Sequence, residues 1–131
     1  RIQFIEQPLP ANLHDEALYL KDNLNLEIIA DESITDQEIT DYYKKRFDGI
    51  NVKLMKSGGY LKAIKQINDS KKLGLKVMVG CMIETSLSIS AAMVIAKGAD
   101  YIDLDGCLLI KKDPFSFLGE ENGRLIKAGL Q

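Results

Sequence analysis

Short apolar runs alternate along the chain with stretches patterned for helices. Residues 2–5 read as a strand ending at Glu6, and Gln7-Pro8-Leu9-Pro10 follows as a loop, because two prolines can neither continue a ladder nor start mid-helix. Ala17, Leu18, Leu20 and Leu24 are spaced for one buried face of a helix over 13–24, with Asn12 as its cap. Residues 26–30 are the next strand, ending at Asp31-Glu32-Ser33. Thr35 with Glu38 three positions on forms a capping-box pattern for a helix over 36–45. Residues 50–54 are the third strand, and Gly58-Gly59 allows the turn into a helix over 60–73 whose inward stripe is Leu61, Ile64, Ile67 and Leu73. A fourth strand over 76–79 leads through Gly80-Cys81-Met82-Ile83-Glu84-Thr85 into an apolar helix that starts at Ser86 or Ser88 and ends at Gly98. A fifth strand over 101–104 carries Asp103 and Asp105. Asp113-Pro114 and Glu120-Glu121-Asn122-Gly123 are turn signals, and 124–126 is a small strand.

This β-α repeat, one unit every 20 to 30 residues or so, imposes parallel strands and right-handed crossovers. An open doubly wound sheet and a barrel both satisfy it. No GxGxxG or P-loop pattern accompanies the strands, so nucleotide binding at a helix start has no support. The polar residues favour the barrel. Glu6, Asp31, Lys53, Glu84 and the pair Asp103 and Asp105 stand at the C-terminal ends of successive strands, the rim where barrel active sites are built.

Composition narrows the picture only by exclusion. The 131 residues suffice for one domain with a real core, and a net charge of −2 points to neither nucleic acid nor an anionic membrane. No apolar run approaches a membrane span, and no signal peptide opens the chain. Cys81 and Cys107 have neither CxxC nor zinc spacing and read as reduced and buried, which suits a cytoplasmic protein. His14, the single histidine, lies in an acidic helical stretch and reads as a surface residue. The chain opens directly in a strand, which reads as part of a longer polypeptide. The open strand edge at 2–5 is then covered by a preceding part of that polypeptide, or copies associate as a homo-oligomer.

The rim residues suggest chemistry. Glu6 and Asp31 are hard oxygen ligands on neighbouring strands and suit Mg²⁺, though two ligands are too few for a dedicated site. Lys53 sits where an apolar strand meets a loop, and burial beside a cation would push its pKa down towards the range of a base. Lys56 is its rival for that role; alternation with Val52 and Leu54 favours Lys53 as the inward residue. An Asp-x-Asp on one strand face makes a compact negative pocket for an ammonium group.

Ile5-Glu6-Gln7-Pro8, Ala30-Asp31-Glu32-Ser33, the stretch from Asn51-Val52-Lys53 through Lys56-Ser57-Gly58-Gly59, and Gly80-Cys81-Met82-Ile83-Glu84-Thr85 together resemble the C-terminal part of the enolase superfamily, in its muconate-lactonizing branch. The resemblance implies a modified (β/α)₇β TIM-like barrel of which residues 1–131 are the C-terminal portion, with the N-terminal capping domain and first strands outside this sequence. It implies metal ligation by Glu6 and Asp31 and an acid/base role for Lys53, which would take an α-proton beside a carboxylate while Mg²⁺ stabilises the enediolate. Asp103 and Asp105 are similar to the pair that holds the substrate's ammonium in dipeptide epimerases such as L-Ala-D/L-Glu epimerases, so a dipeptide is the implied substrate. Glu84 is read as orienting Lys53 or a backbone amide. The third metal ligand and a second lysine on the opposite face of the α-carbon are expected outside this sequence, so the 131 residues alone are expected to be inactive. N-acylamino acid racemisation, o-succinylbenzoate synthesis and muconate cycloisomerisation are the alternatives on the same scaffold, and a non-catalytic half barrel is the alternative of another class.

Overall fold

A computed structural model of the chain describes residues 2–127. Five strands, β1 (Phe4–Glu6), β2 (Glu27–Ala30), β3 (Gly49–Lys53), β4 (Lys76–Gly80) and β5 (Tyr101–Ile102), form one sheet in the order β1-β2-β3-β4-β5. Every pairing in it is parallel. Strict sequential order is the barrel's topology; a doubly wound sheet reverses direction at a switch point. The helices between strands are α1 (His14–Asn23), α2 (Asp41–Arg46), α3 (Leu54–Ser57), α4 (Tyr60–Lys72) and α5 (Ser86–Ile95). A 3₁₀ turn (Gly106–Leu109) then leads to an antiparallel hairpin of β6 (Leu118–Glu121) and β7 (Arg124–Lys127).

The sheet is curled. Laid flat, β1 and β5 would stand about 19 Å apart. Instead the Phe4 and Tyr101 rings have centroids 4.5 Å apart, and the Tyr101 hydroxyl donates to Glu27 Oε2 at 2.7 Å across β3 and β4. Strand periodicity sorts the two faces. Ile28, Ala30, Ile50, Val52, Val77 and Val79 pack outward with Ala17, Tyr43, Phe47, Ala63, Ile67, Ile89 and Ala92 in one core. Ile29, Asn51 and Met78, equally buried, lie on the concave face. The chain is therefore a half-barrel, the one of the two alternatives that the polar rim residues favour, with β1 and β5 as its edges among the described residues. No helix among those residues is long and apolar enough to cross a membrane.

Four expected details differ. α2 begins at Asp41, not at 36, and its cap is Thr40, whose Oγ1 accepts from the Tyr42 N–H at 3.3 Å. The Thr35–Glu38 box does not form. The Gln66 amide donates to the carbonyls of Thr35 and Gln37 at 2.7 and 3.0 Å, and Glu38 is drawn to Lys65 at 3.2 Å. Tertiary partners thus hold 35–39 in a loop. α4 keeps Ile67 buried and Leu73 packed against the core as expected, but Ala63, Gln66 and Ser70 turn inward in place of Leu61, which is 85% exposed, and Ile64, which is exposed as well. The small Ala63 and Ser70 let the helix approach the sheet closely, and Gln66 needs the interior for its bonds. Asn12 does not cap α1, which starts at His14 after Leu13 with no side-chain cap. Expected features that hold are the turn at Gly58 and Gly59, with φ of +77° and +107°, and the strand near 124–126, which is β7.

Candidate active site

The C-terminal rim of the half-barrel gathers the polar residues. Glu6 is the last residue of β1, Asp31 follows β2, and Lys53 ends β3. Asn51 and Lys53, two apart on β3, share the concave face. Asn51 is 1% exposed and its Nδ2 donates to Glu6 Oε1 at 2.7 Å, passing over β2. Lys53 Nζ donates to Asp31 Oδ2 at 2.8 Å. Lys56, on the short helix α3, donates to the Asp31 carbonyl at 2.6 Å and to its Oδ1. Both lysines that the sequence offers as rivals therefore reach one carboxylate, and Asp31 is clamped between them.

The electrostatics follow from that clamp. Burial pulls the Lys53 ammonium down, but its hydrogen bond to Asp31 and the charges of Asp31, Glu6 and Glu32 outweigh burial and hold it above the ordinary lysine value. This corrects the expectation of a depressed Lys53. Lys56 is the lysine held low: burial dominates, and the neighbouring Lys53 charge adds to it against the pull of Asp31. Asp31 is pushed up by burial, yet the bonds and charges of Lys53 and Lys56 bring it below the ordinary carboxylate range.

The β4–β5 side of the rim is separate. Glu84 Oε1 accepts from the Met82 N–H at 2.8 Å, so it braces a backbone amide of its own loop rather than Lys53. Asp103 and Asp105 do not share a strand face, because β5 ends at Ile102. The Asp103 N–H still bonds the Val79 carbonyl at 3.0 Å, while Asp105 begins the 3₁₀ turn. Both carboxylates are exposed. Their charges reach the half-buried Cys81: burial raises its thiol most, the Gly106 N–H opposes this, and Asp103, Asp105 and Glu84 raise it further. Cys81 is thus less buried than expected; Cys107 is buried, and both are free thiols. His14 is at the surface, against the Tyr42 hydroxyl at 2.6 Å.

Two residues of this rim carry no prediction from sequence, Asn51 and Gln7. Asn51 stands two positions before Lys53, so strand parity alone was the available signal. Gln7 carries none beyond its place after Glu6.

Glu6 and Asp31, as anionic oxygens on adjacent strands, fit a hard divalent cation chemically. Among the described residues no third acid, histidine or cysteine joins them. An amide bonds Glu6 and two ammoniums bond Asp31, and the Glu6 charge reaches Lys53 as well.

Known proteins resemble the chain over most of its length. The chain is 42% identical over 125 residues to an L-Ala-D/L-amino acid epimerase of Pedosphaera parvula, a match covering 95% of this chain and 36% of that protein. It superimposes with a TM-score of 0.87 and 37% identity on an enolase family member from Agrobacterium tumefaciens with homology to dipeptide epimerases, solved with sodium and L-Ala-L-Glu; that match covers 98% of this chain and 39% of the other. A dipeptide epimerase from Cytophaga hutchinsonii, complexed with Mg and D-Ala-L-Val, gives 0.86 at 27% identity, over 97% of this chain and 36% of the other. The chain spans about a third of the length of the curated relatives it matches. Residues 1–115 match the family model described as Enolase C-terminal domain-like, and the chain belongs to that family.

Proposed function

We propose that this chain supplies one half of the active site of a Mg²⁺-dependent dipeptide epimerase, as the C-terminal portion of the barrel in a longer, cytoplasmic polypeptide. The observation that carries the reading is the amine of Lys53 lying 2.8 Å from Asp31, one strand from Glu6: a base beside a pair of oxygen ligands. Glu6 and Asp31 would hold the ion, with a third ligand from a strand beyond the β1 edge. A bound Mg²⁺ supplies a Lewis acid that stabilises the negative charge gathering on the substrate carboxylate.

Lys53 Nζ takes the α-proton of the second residue from one epimer, whose opposite face is then protonated by a second base; in the reverse direction Lys53 delivers the proton to its own face. In this structure burial lowers the Lys53 amine, and the bond to Asp31 with the charges of Asp31, Glu6 and Glu32 outweighs it. Asn51 keeps Glu6 from swinging, and Lys56 keeps the Asp31 backbone and carboxylate in place. Asp103 and Asp105 at the far side of the rim provide acceptors for the dipeptide's ammonium. The opposite face of the α-carbon needs a second base, which belongs to the remainder of the barrel.

Substrate choice tests this reading against N-acylamino acid racemisation. In the complete enzyme Asp103→Asn should raise KM for a dipeptide about tenfold or more, the worth of one bond to a charged group, and leave an N-acylamino acid unaffected. Faster turnover of N-acylamino acids than of dipeptides by the parent enzyme contradicts the dipeptide assignment.

A further inference from the structure

The β1–β2 ladder ends early. Its last pair is Glu6 with Ile29, and the Gln7 N–H makes one more bond to the Ile29 carbonyl at 2.9 Å. Beyond that, Pro8 stops β1 from continuing as a strand beside Asp31. The side chain of Gln7 takes over where the backbone stops. Its Oε1 accepts from the N–H groups of Asp31 at 2.9 Å and Ser33 at 3.1 Å. Its Nε2 donates to the Leu9 carbonyl at 2.7 Å and to Ser33 Oγ at 2.9 Å. Both donors and both acceptor sites of the amide are used.

Gln7 makes these bonds from an unfavourable backbone. Its φ is +36°, a left-handed value at a residue that carries a side chain and precedes a proline. Strain at such a position persists only where the surroundings over-determine it. Here they do: the turn swings the Gln7 amide across the end of β2, so the residue after one carboxylate grips the backbone of the other.

We propose that Gln7 is a positioning residue that sets the spacing of Glu6 and Asp31 for a divalent cation. This rests on the reading of those two acids as metal ligands. Outer partners that orient ligands typically change metal affinity by ten- to a hundredfold when removed.

Mn²⁺ titration of the full-length enzyme, followed by electron paramagnetic resonance and paired with thermal denaturation, tests it. Gln7→Ala should weaken Mn²⁺ binding about tenfold or more. Gln7→Glu keeps the acceptor for Asp31 and Ser33 but sets an oxygen against the Leu9 carbonyl, so it should bind Mn²⁺ more tightly than Gln7→Ala and more weakly than the parent. Gln7→Gly relieves the positive φ, so it should lose Mn²⁺ affinity as Gln7→Ala does while denaturing at a higher temperature than Gln7→Ala. A purely structural role would lower denaturation temperature and leave Mn²⁺ affinity intact. Parent-like affinity in both Gln7→Ala and Gln7→Gly, with Glu6→Gln abolishing binding, overturns the role of Gln7 alone. Parent-like affinity in Glu6→Gln and Asp31→Asn overturns the metal site, and the role of Gln7 with it.

Discussion

The Asn51 amide occupies the space that a side chain at Gly80 would need. A Cβ on Gly80 would lie 2.5 Å from Asn51 Oδ1 and 2.7 Å from Nδ2, inside contact distance of a buried group. That same amide holds Glu6, and its Oδ1 has no hydrogen-bond partner. Gly80→Ala must therefore push Asn51 off Glu6. We expect destabilisation of about 1–3 kcal/mol, the usual cost of overpacking. In an Asn51→Ala background the same change should cost much less, because the clash is gone. Urea denaturation of the two single variants and the double variant measures the coupling; strictly additive losses would contradict this contact.

Acid should loosen the Asp31 clamp. Burial raises the Asp31 pKa, but Lys53 and Lys56 outweigh burial and hold it below the ordinary aspartate range. The stability from this shift is complete above the unfolded-chain value and is lost as pH falls through the lower folded value. Lys53 acts on the alkaline side: its raised pKa contributes stability below the ordinary lysine value that is lost as pH rises through the folded one. Urea midpoints of the metal-free protein, measured from neutral pH into acid, should show the Asp31 slope, and Asp31→Asn should flatten it. At neutral pH that variant leaves two part-buried ammoniums without their counter-charge, costing up to about 3 kcal/mol. Identical pH profiles for the parent and Asp31→Asn would refute the clamp.

Helix α2 provides a control remote from the rim. Thr40→Ala removes the acceptor for the Tyr42 N–H and should cost about 1 kcal/mol. Thr35→Ala, at the position the sequence favours as cap, should stay within about 0.5 kcal/mol. Denaturation midpoints ranked the other way would restore the helix start at 36.

What sequence could reveal here was local. Strand runs, the glycine turn at 58–59 and the rim placement of Glu6, Asp31 and Lys53 follow from short-range patterns, and the five parallel strands bear out the first of these. The errors at 35–38 and along α4 share one cause, a distant partner. Gln66 draws the carbonyls of Thr35 and Gln37 away from helix, and it turns α4 about its axis so that Leu61 faces solvent. Asp103-x-Asp105 alternates like a strand, but the chain leaves the sheet after Ile102 to enter the 3₁₀ turn. Asn51 and Glu6 are 45 residues apart in sequence, so nothing local could pair them. The direction of the Lys53 pKa depends on its bond to Asp31, 22 residues away, which burial and a nearby cation alone leave out.

Proton–deuterium exchange at the α-carbon of the second residue examines Lys53 most directly. In D₂O the complete parent enzyme should exchange that proton in both epimers of a dipeptide such as L-Ala-L-Glu. Lys53→Ala should slow exchange at least a hundredfold for the epimer whose proton faces residue 53 and still allow exchange of the other. Exchange from both epimers at the parent rate would remove Lys53 from the chemistry.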